Sequence, residues 1–296
     1  MSHATTRRRP APRRVRGVYR AVREGRPPVE PADRPGGPSV RALVETPFDS
    51  VADARERLTA LERRFRERGD RRGAFLVVYA RVTGAVGEAV EAGAFADPEW
   101  VADYLVAFAD RYRVALAAHE RGDRRSVPDP WQVAFEAAER EACLVSQAAA
   151  LGINAHVNYD LAYALCEVGI GPDRDRRYAD HRAVNDVLRS VVDDVQALLA
   201  AGYAPGIADV DERLGRLDEA LGFLTLAEGR DAAWHSALAM NPRFRVRRRF
   251  ARLFLRVSAT GAAYAILAPT AAPGVLEGLR RVEAGPRPPE EPGGAP

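Results

Sequence analysis

Asp160, His156, Asn154 and Asn158 are residue types that move protons, hold metal ions or orient substrates, and all four fall in one apolar stretch. From Ala142 to Cys166 the chain runs twenty-five residues with a single formal charge, Asp160. A stretch this apolar is expected to be buried, where an unpaired charge is costly and polar groups must find partners. On a helix, His156 and Asp160 differ by about 40° and share one face, which Tyr163 is expected to join. Asn154 and Asn158 fall nearly opposite. A helix with polar groups on two sides and apolar residues between is expected at the centre of a bundle.

A matching set lies downstream. His181 stands just before the seam Val184, Leu188, Val191, and Asn185 follows it by four residues. Short connections favour antiparallel neighbours, so His181 and Asn185 are expected near His156 and Asp160. Three chemistries fit this set. His156, Asp160 and His181 could ligate zinc or iron, because two His and a carboxylate form a recognised ligand set. An Asp160–His dyad could carry out metal-free acid–base catalysis. Alternatively, the groups satisfy one another in a buried network that specifies one packing arrangement. The spacing leaves all three open.

Other histidines say less. His119 precedes Glu120-Arg121-Gly122 and reads as a solvated or capping residue at a helix end. His235 adjoins Trp234 with no fixed orientation. The chain lacks Glu-x-x-His, His-Glu-x-x-His, Gly-x-Ser-x-Gly and a phosphate-binding Gly-Lys loop. All 44 basic residues are Arg, which excludes a catalytic Lys or a Schiff base. The two cysteines, Cys143 and Cys166, give no disulfide framework and are expected to be buried thiols.

The elements that position these residues are helical, and the fold class is all-α: a single-domain multi-helix bundle with a central buried helix. Ser50 with Asp53 gives a capping signal before the stripe Val51, Ala54, Leu58, Leu61, Phe65. A second stripe holds Phe75, Tyr79, Val82, Val86 and Val90. Asp97-Pro98 and Asp129-Pro130 each start a helix. Gly152 is a candidate kink in the apolar stretch, and Gly169-Ile-Gly171-Pro172 ends it. One helix is expected over 174–201, a seam over Val210 to Leu224, and a last long helix from Arg243 to Ala268.

Residues 1–45, rich in Arg, Pro and Gly, read as a disordered basic arm. Residues 46–283 read as the helical domain and 284–296 as a disordered Pro/Gly-rich tail. Residues 1–40 carry ten Arg and three acids; 241–256 carry seven Arg and no acid. The arm has no apolar secretory segment, so the expected compartment is cytoplasmic. Phe250 and Phe254 align one turn apart in the Arg243–Arg256 segment, which reads as a surface helix with a basic face. An acidic protein or a membrane surface is its expected partner; no nucleic-acid motif accompanies the charge. The 142–166 stretch is long enough to span a bilayer. Asp160 would cost roughly 2.5–3.5 kcal/mol at a span's centre, so it is read as a core helix.

The strings resemble an uncharacterised prokaryotic family of unknown function. Its marks are an Asn-Ala-His-[Ile/Val]-Asn-x-Asp-Leu core, matched by Asn154–Leu161, an Asp-x-x-x-Val-Asn-x-x-Leu helix, similar to the stretch from Asp180 to Leu188, and an Arg-x-x-Ala-Trp element, matched by Arg230–Trp234. The resemblance implies no activity. It implies only a site list of Asn154, His156, Asn158, Asp160, Asn185, Arg230 and Trp234. Separately, the Asn residues, Arg230 and Trp234 are expected to orient a substrate. Leu151-Gly152-x-x-x-His156-x-x-x-Asp160 is also similar to the zinc-ligating helix of all-α zinc-dependent phospholipases C. Those enzymes continue with a Pro and a further His, whereas this chain continues Leu161-Ala-Tyr-Ala-Leu.

Two functions are expected from these residues. One is a metal-assisted hydrolase of an unknown small molecule, with His156, Asp160 and His181 as ligands or acid–base groups. The other is a non-catalytic helical protein whose polar centre fixes packing and whose Arg-rich helix binds an acidic partner.

Overall fold

The computed structural model describes residues 37–205, 216–240, 244–270 and 274–284. The described residues are helical, with no strand among them. In chain order they form α1 (Gly37–Val44), α2 (Val51–Arg66), α3 (Gly73–Glu91), α4 (Pro98–Glu120), α5 (Asp129–Glu139) and α6 (Val145–Ala155). A π-turn, His156–Asp160, leads straight into α7 (Leu161–Val168). Then come α8 (Arg174–Ser190), α9 (Val192–Tyr203), α10 (Arg216–Ala239), α11 (Arg245–Leu267), a short 3-10 turn and α12 (Val275–Glu283).

The punctuation residues act as their chemistry dictates. Ser50 Oγ accepts from the Asp53 amide at the start of α2, and Asp97 accepts from the Trp100 amide with Pro98 in the first turn of α4. The α2 stripe buries Ala54, Leu58, Leu61 and Phe65, mainly against α3. The continuous rod α6, π-turn, α7 is packed by α3, α4, α5, α10 and α11, so it is the central helix of the bundle.

Four sequence expectations change. Residues 37–44, assigned by composition to the arm, form α1, which packs on α4 with Val40 and Val44 buried. Two valines one turn apart are too short a pattern to register among Pro, Gly and Arg. The helix expected over 174–201 breaks at Val191, where Ser190 Oγ turns back onto the Val187 carbonyl at 2.8 Å. Val191 stays buried while α9 turns to lie along α3. Gly152 does not interrupt α6, which runs unbroken from Val145 to Ala155. A Cβ there would lie 2.4 Å from Phe75 Cγ, so Gly152 is a point of close helix approach. Cys143 is buried, but Cys166 is exposed. The arm before residue 37, the tail beyond residue 284, Val210 and Leu214 of the seam expected over Val210 to Leu224, and Arg243 lie outside the described residues.

Helix α11 has a dual character. Its inner side buries Leu255, Ala259, Ala263 and Leu267. Its outer side carries Val246, Phe250, Leu253, Phe254 and Val257, all exposed. Arg245, Arg247, Arg249, Arg252 and Arg256 are exposed as well, so the solvent side is the expected basic face with an apolar stripe running through it. By length and composition alone, α3 and α11 are apolar enough to cross a membrane; α3 is largely buried in the bundle and α11 largely is not.

Candidate functional site

The π-turn sits at the polar motif itself. The Leu161 amide bonds back to the His156 carbonyl, one residue farther than in an α-helix. His156 Nδ1 lies 3.1 Å from Asp160 Oδ2, and Trp131 Nε1 donates to the same oxygen at 2.7 Å. All three side chains are buried. Because Asp160 accepts, the His156 proton resides on Nδ1 and Nε2 presents its lone pair. That Nε2 is buried and has no hydrogen-bond partner. Burial lowers the His156 pKa, and the bond to Asp160 only partly opposes it. His156 is therefore a neutral imidazole at pH 7 with an unused basic nitrogen.

Aromatic rings fix the imidazole plane. Phe108 stacks on His156 with centroids 3.6 Å apart and planes 8° apart, and Tyr79 meets it edge-on at 4.4 Å. Phe75 and Trp131 lie farther off, with centroids 5.6 Å and 6.1 Å from the ring. Tyr163 does not join the dyad. The extra residue in the π-turn rotates everything after it by about 100°, and Tyr163 instead lies under the guanidiniums of Arg111 and Arg252.

Asn154 and Asn158 form a pair of their own. Asn158 Nδ2 donates to Asn154 Oδ1 at 2.9 Å, and Asn154 Nδ2 donates to the Ala259 carbonyl at 2.8 Å. They tie the rod to α11. Gly229 of α10 leaves room for them, since a Cβ there would meet Asn158 Oδ1 at 2.6 Å. These carboxamides hold helices together and are spent on one another.

His181 and Asn185 meet Arg230 and not the dyad. His181 Nε2 donates to the Arg230 carbonyl at 3.0 Å; its Nδ1 faces Tyr104 Oη and Arg230 Nη2, each at 3.5 Å. Arg230 Nε donates to Asn185 Oδ1 at 2.8 Å and Nη2 to the His181 carbonyl at 2.7 Å. Trp234 packs on the His181 ring at 5.3 Å. Both ring nitrogens of His181 are thus engaged. Burial and then the Arg230 charge hold its pKa well below the usual value. Among the described residues no group of three or more His, Cys, Asp and Glu side chains could hold a metal ion. The triad His156, Asp160, His181 is not assembled, because Arg230 stands as the partner of His181.

The two clusters share one space. A cavity of about 80 Å³ is lined by His156, Tyr79, Tyr104 and Arg230, with Phe75, Phe108, Val184, Leu188 and Leu226 among its apolar walls. It is roughly half the volume of the ~150 Å³ apolar cavity that accepts benzene. Arg230 is buried and, among the described residues, its hydrogen-bond partners are all neutral: Asn185, Tyr104 and the His181 carbonyl. The Tyr79 hydroxyl has no partner of normal geometry, and burial raises its pKa well above the usual phenol value.

Sequence reasoning missed four of these groups. Trp131, Tyr79, Phe108 and Tyr104 carry no local signal of a site, because only long-range packing brings their polar ends or ring faces to His156 and Arg230. It also missed a buried ionic cluster. Arg72 Nη2 contacts Asp70 Oδ2 at 2.6 Å, while Nη1 reaches Glu120 Oε1 at 2.6 Å and Glu139 Oε1 at 3.2 Å. His119 lies buried against Glu139 at 2.7 Å, neither solvated nor capping. Asp180 accepts from the Ala96 and Asp97 amides at 2.8 Å each, anchoring the start of α4.

The lowered histidine pKa values set a pH dependence. The unfolded chain protonates His156 and His181 near about pH 6.5, whereas the folded protein resists protonation. The unfolded state then binds more protons, so stability is fully present above that pH and falls as pH drops toward the folded values. Thermal midpoints measured between about pH 7.5 and 5 should decline in the wild type. In His156→Gln the decline should be shallower; an unchanged slope would contradict a neutral buried His156.

Among curated proteins and among solved structures, none matches the chain. A family model does, and it spans every residue of the dyad, the Arg230 cluster and the cavity between them. The match, to a family of unknown function (DUF5995), covers residues 51–269, and the chain belongs to that family.

Proposed function

We propose that this domain is a metal-free acid–base enzyme acting on a small, largely apolar molecule in the His156 cavity. The observation that supports it is the buried, unpartnered Nε2 of His156, on the side of the ring away from the Asp160 bond. A buried nitrogen without a partner loses its hydration without return, so the fold maintains it at a cost. A bound proton donor would recover that cost. Asp160 holds the tautomer and stabilises the imidazolium that forms when Nε2 takes a proton.

The rest of the lining supports the same chemistry. Arg230 places a positive charge at the cavity with no carboxylate partner among the described residues. Such a charge favours an anionic group or a developing oxyanion. The class of reaction is hydrolysis of a short-chain ester or amide. Nε2 takes a proton from the attacking water and returns it to the leaving oxygen or nitrogen, yielding the acid and the alcohol or amine. A π-turn at the dyad accords with the frequent placement of such turns at functional sites.

The second reading, that the dyad only fixes packing, is favoured by the close stacking of Phe108 on the ring. The two separate on whether small molecules reach Nε2. Short-chain alcohols, ethanol to butanol, are neutral hydroxyl donors; they should bind the wild type and perturb His156. If none perturbs it, the packing reading stands.

A further inference from the structure

The outer face of α11 is the largest unexplained feature of the surface. Of eleven exposed large hydrophobic residues among those described, six fall between Phe244 and Val257. Val246, Phe250, Phe254 and Val257 lie within about 80° of one another on the helix. Val246 is 70% exposed, Phe250 68% and Phe254 64%. Arg247 borders one edge of this stripe, and Arg249 and Arg256 border the other. No acidic residue occurs between residues 241 and 256. Beside the stripe, Arg249, Arg252 and Arg256 line a groove of about 640 Å³ closed by Tyr159 and Tyr163.

We infer that this face docks on an anionic lipid surface. An apolar stripe flanked by Arg is the pattern of a helix lying in the membrane interface, with aromatic and branched side chains inserted and guanidiniums at the headgroups. The charge selects the surface: each basic residue near an anionic leaflet adds attraction. It also argues against the other occupants. A second copy would bring two like-charged Arg borders together across the stripe. A nucleic acid would face Phe and Val where phosphates need donors. The groove between α11 and the tyrosines supplies the guanidiniums of Arg249 and Arg252 for a phosphate headgroup, with Arg256 beside them, 3.7 Å from Asp129. The inference is independent of the chemistry at His156, since neither Phe250 nor Phe254 lines that cavity.

The experiment is flotation of the full chain with phosphatidylcholine vesicles and with vesicles that also contain phosphatidylserine. Residues 1–40 carry ten Arg of their own, so attraction to anionic vesicles alone is not diagnostic. The deciding variant is Phe250→Ser with Phe254→Ser, which leaves every charge in place and removes only side chains already exposed. Wild type should float with the phosphatidylserine vesicles and not with phosphatidylcholine alone. The double variant should bind at least about tenfold more weakly with an unchanged thermal midpoint. Equal binding by both proteins overturns the proposal, as does absence of binding by the wild type. So does a wild-type dimer in light scattering that the double variant dissolves, or duplex DNA binding that the same variant abolishes.

Discussion

Arg72→Met should lower the thermal midpoint by roughly 6–20 °C, the largest stability loss expected from a single change in this domain. Removing one partner of a buried ion pair costs about 3–5 kcal/mol, and a domain of this size loses roughly 2–4 °C per kcal/mol. Arg72 bridges Asp70 to Glu120 and Glu139, and all four side chains are buried. Burial works to lower its pKa, but the three carboxylates overcome that and raise it. The Met variant would leave three acids together with their shared guanidinium gone. Glu120 Oε2 already lacks a partner, so no slack exists to absorb the loss. Differential scanning calorimetry measures the shift. A change below about 1 kcal/mol would place Arg72 with exposed ion pairs, contrary to its burial. Arg72→Lys should fall between, because Lys keeps the charge but not the fork that reaches both sides.

Asp160→Asn should reduce turnover about 10²–10⁴-fold with little change in stability. Trp131 and His156 both bond the same carboxylate oxygen. An Asn carbonyl oxygen can sit in its place and keep both contacts, so the packing survives. What disappears is the negative charge that stabilises the imidazolium. Hydrolysis of methyl and ethyl esters of acetate and propionate, followed by proton release, gives the rate. A wild-type rate in the Asn variant, alongside its retained stability, would assign Asp160 to packing alone. Asp160→Ala is the contrasting variant. It strands the Trp131 and His156 donors in a buried site and should cost about 1–3 kcal/mol for each.

The fold was legible where spacing is local. The Ser50 cap, the Asp97-Pro98 start and the stripes of α2 and α3 are rules that act within one or two turns, and the structure follows them. The central position of the rod followed from the scarcity of charge between Ala142 and Cys166. The contact of His156 with Asp160 was legible for the same reason: four residues bring them together on the helix. Tyr163 was not, because the π-turn shifts the phase after Asp160 and no residue type announces it. His181 was read as a partner of the dyad because it lies on the inner face of α8, which is correct. Sequence could not show that Arg230, from α10, would stand there first. The Arg72 cluster joins residues from α4, α5 and the loop before α3; each reads alone as an ordinary surface charge.

The central claim is that His156 keeps a bare basic nitrogen available to a small molecule. Nitrogen NMR of the imidazole in histidine-labelled protein tests it most directly. At pH 7 the His156 ring should be neutral, with Nδ1 protonated toward Asp160 and Nε2 bare. Titration with propanol, whose hydroxyl can donate to Nε2, should then move the Nε2 resonance saturably while that of His235, exposed on α10, stays in place. A protonated Nε2 in the free protein, or a ring that no alcohol from ethanol to butanol perturbs, would overturn this claim.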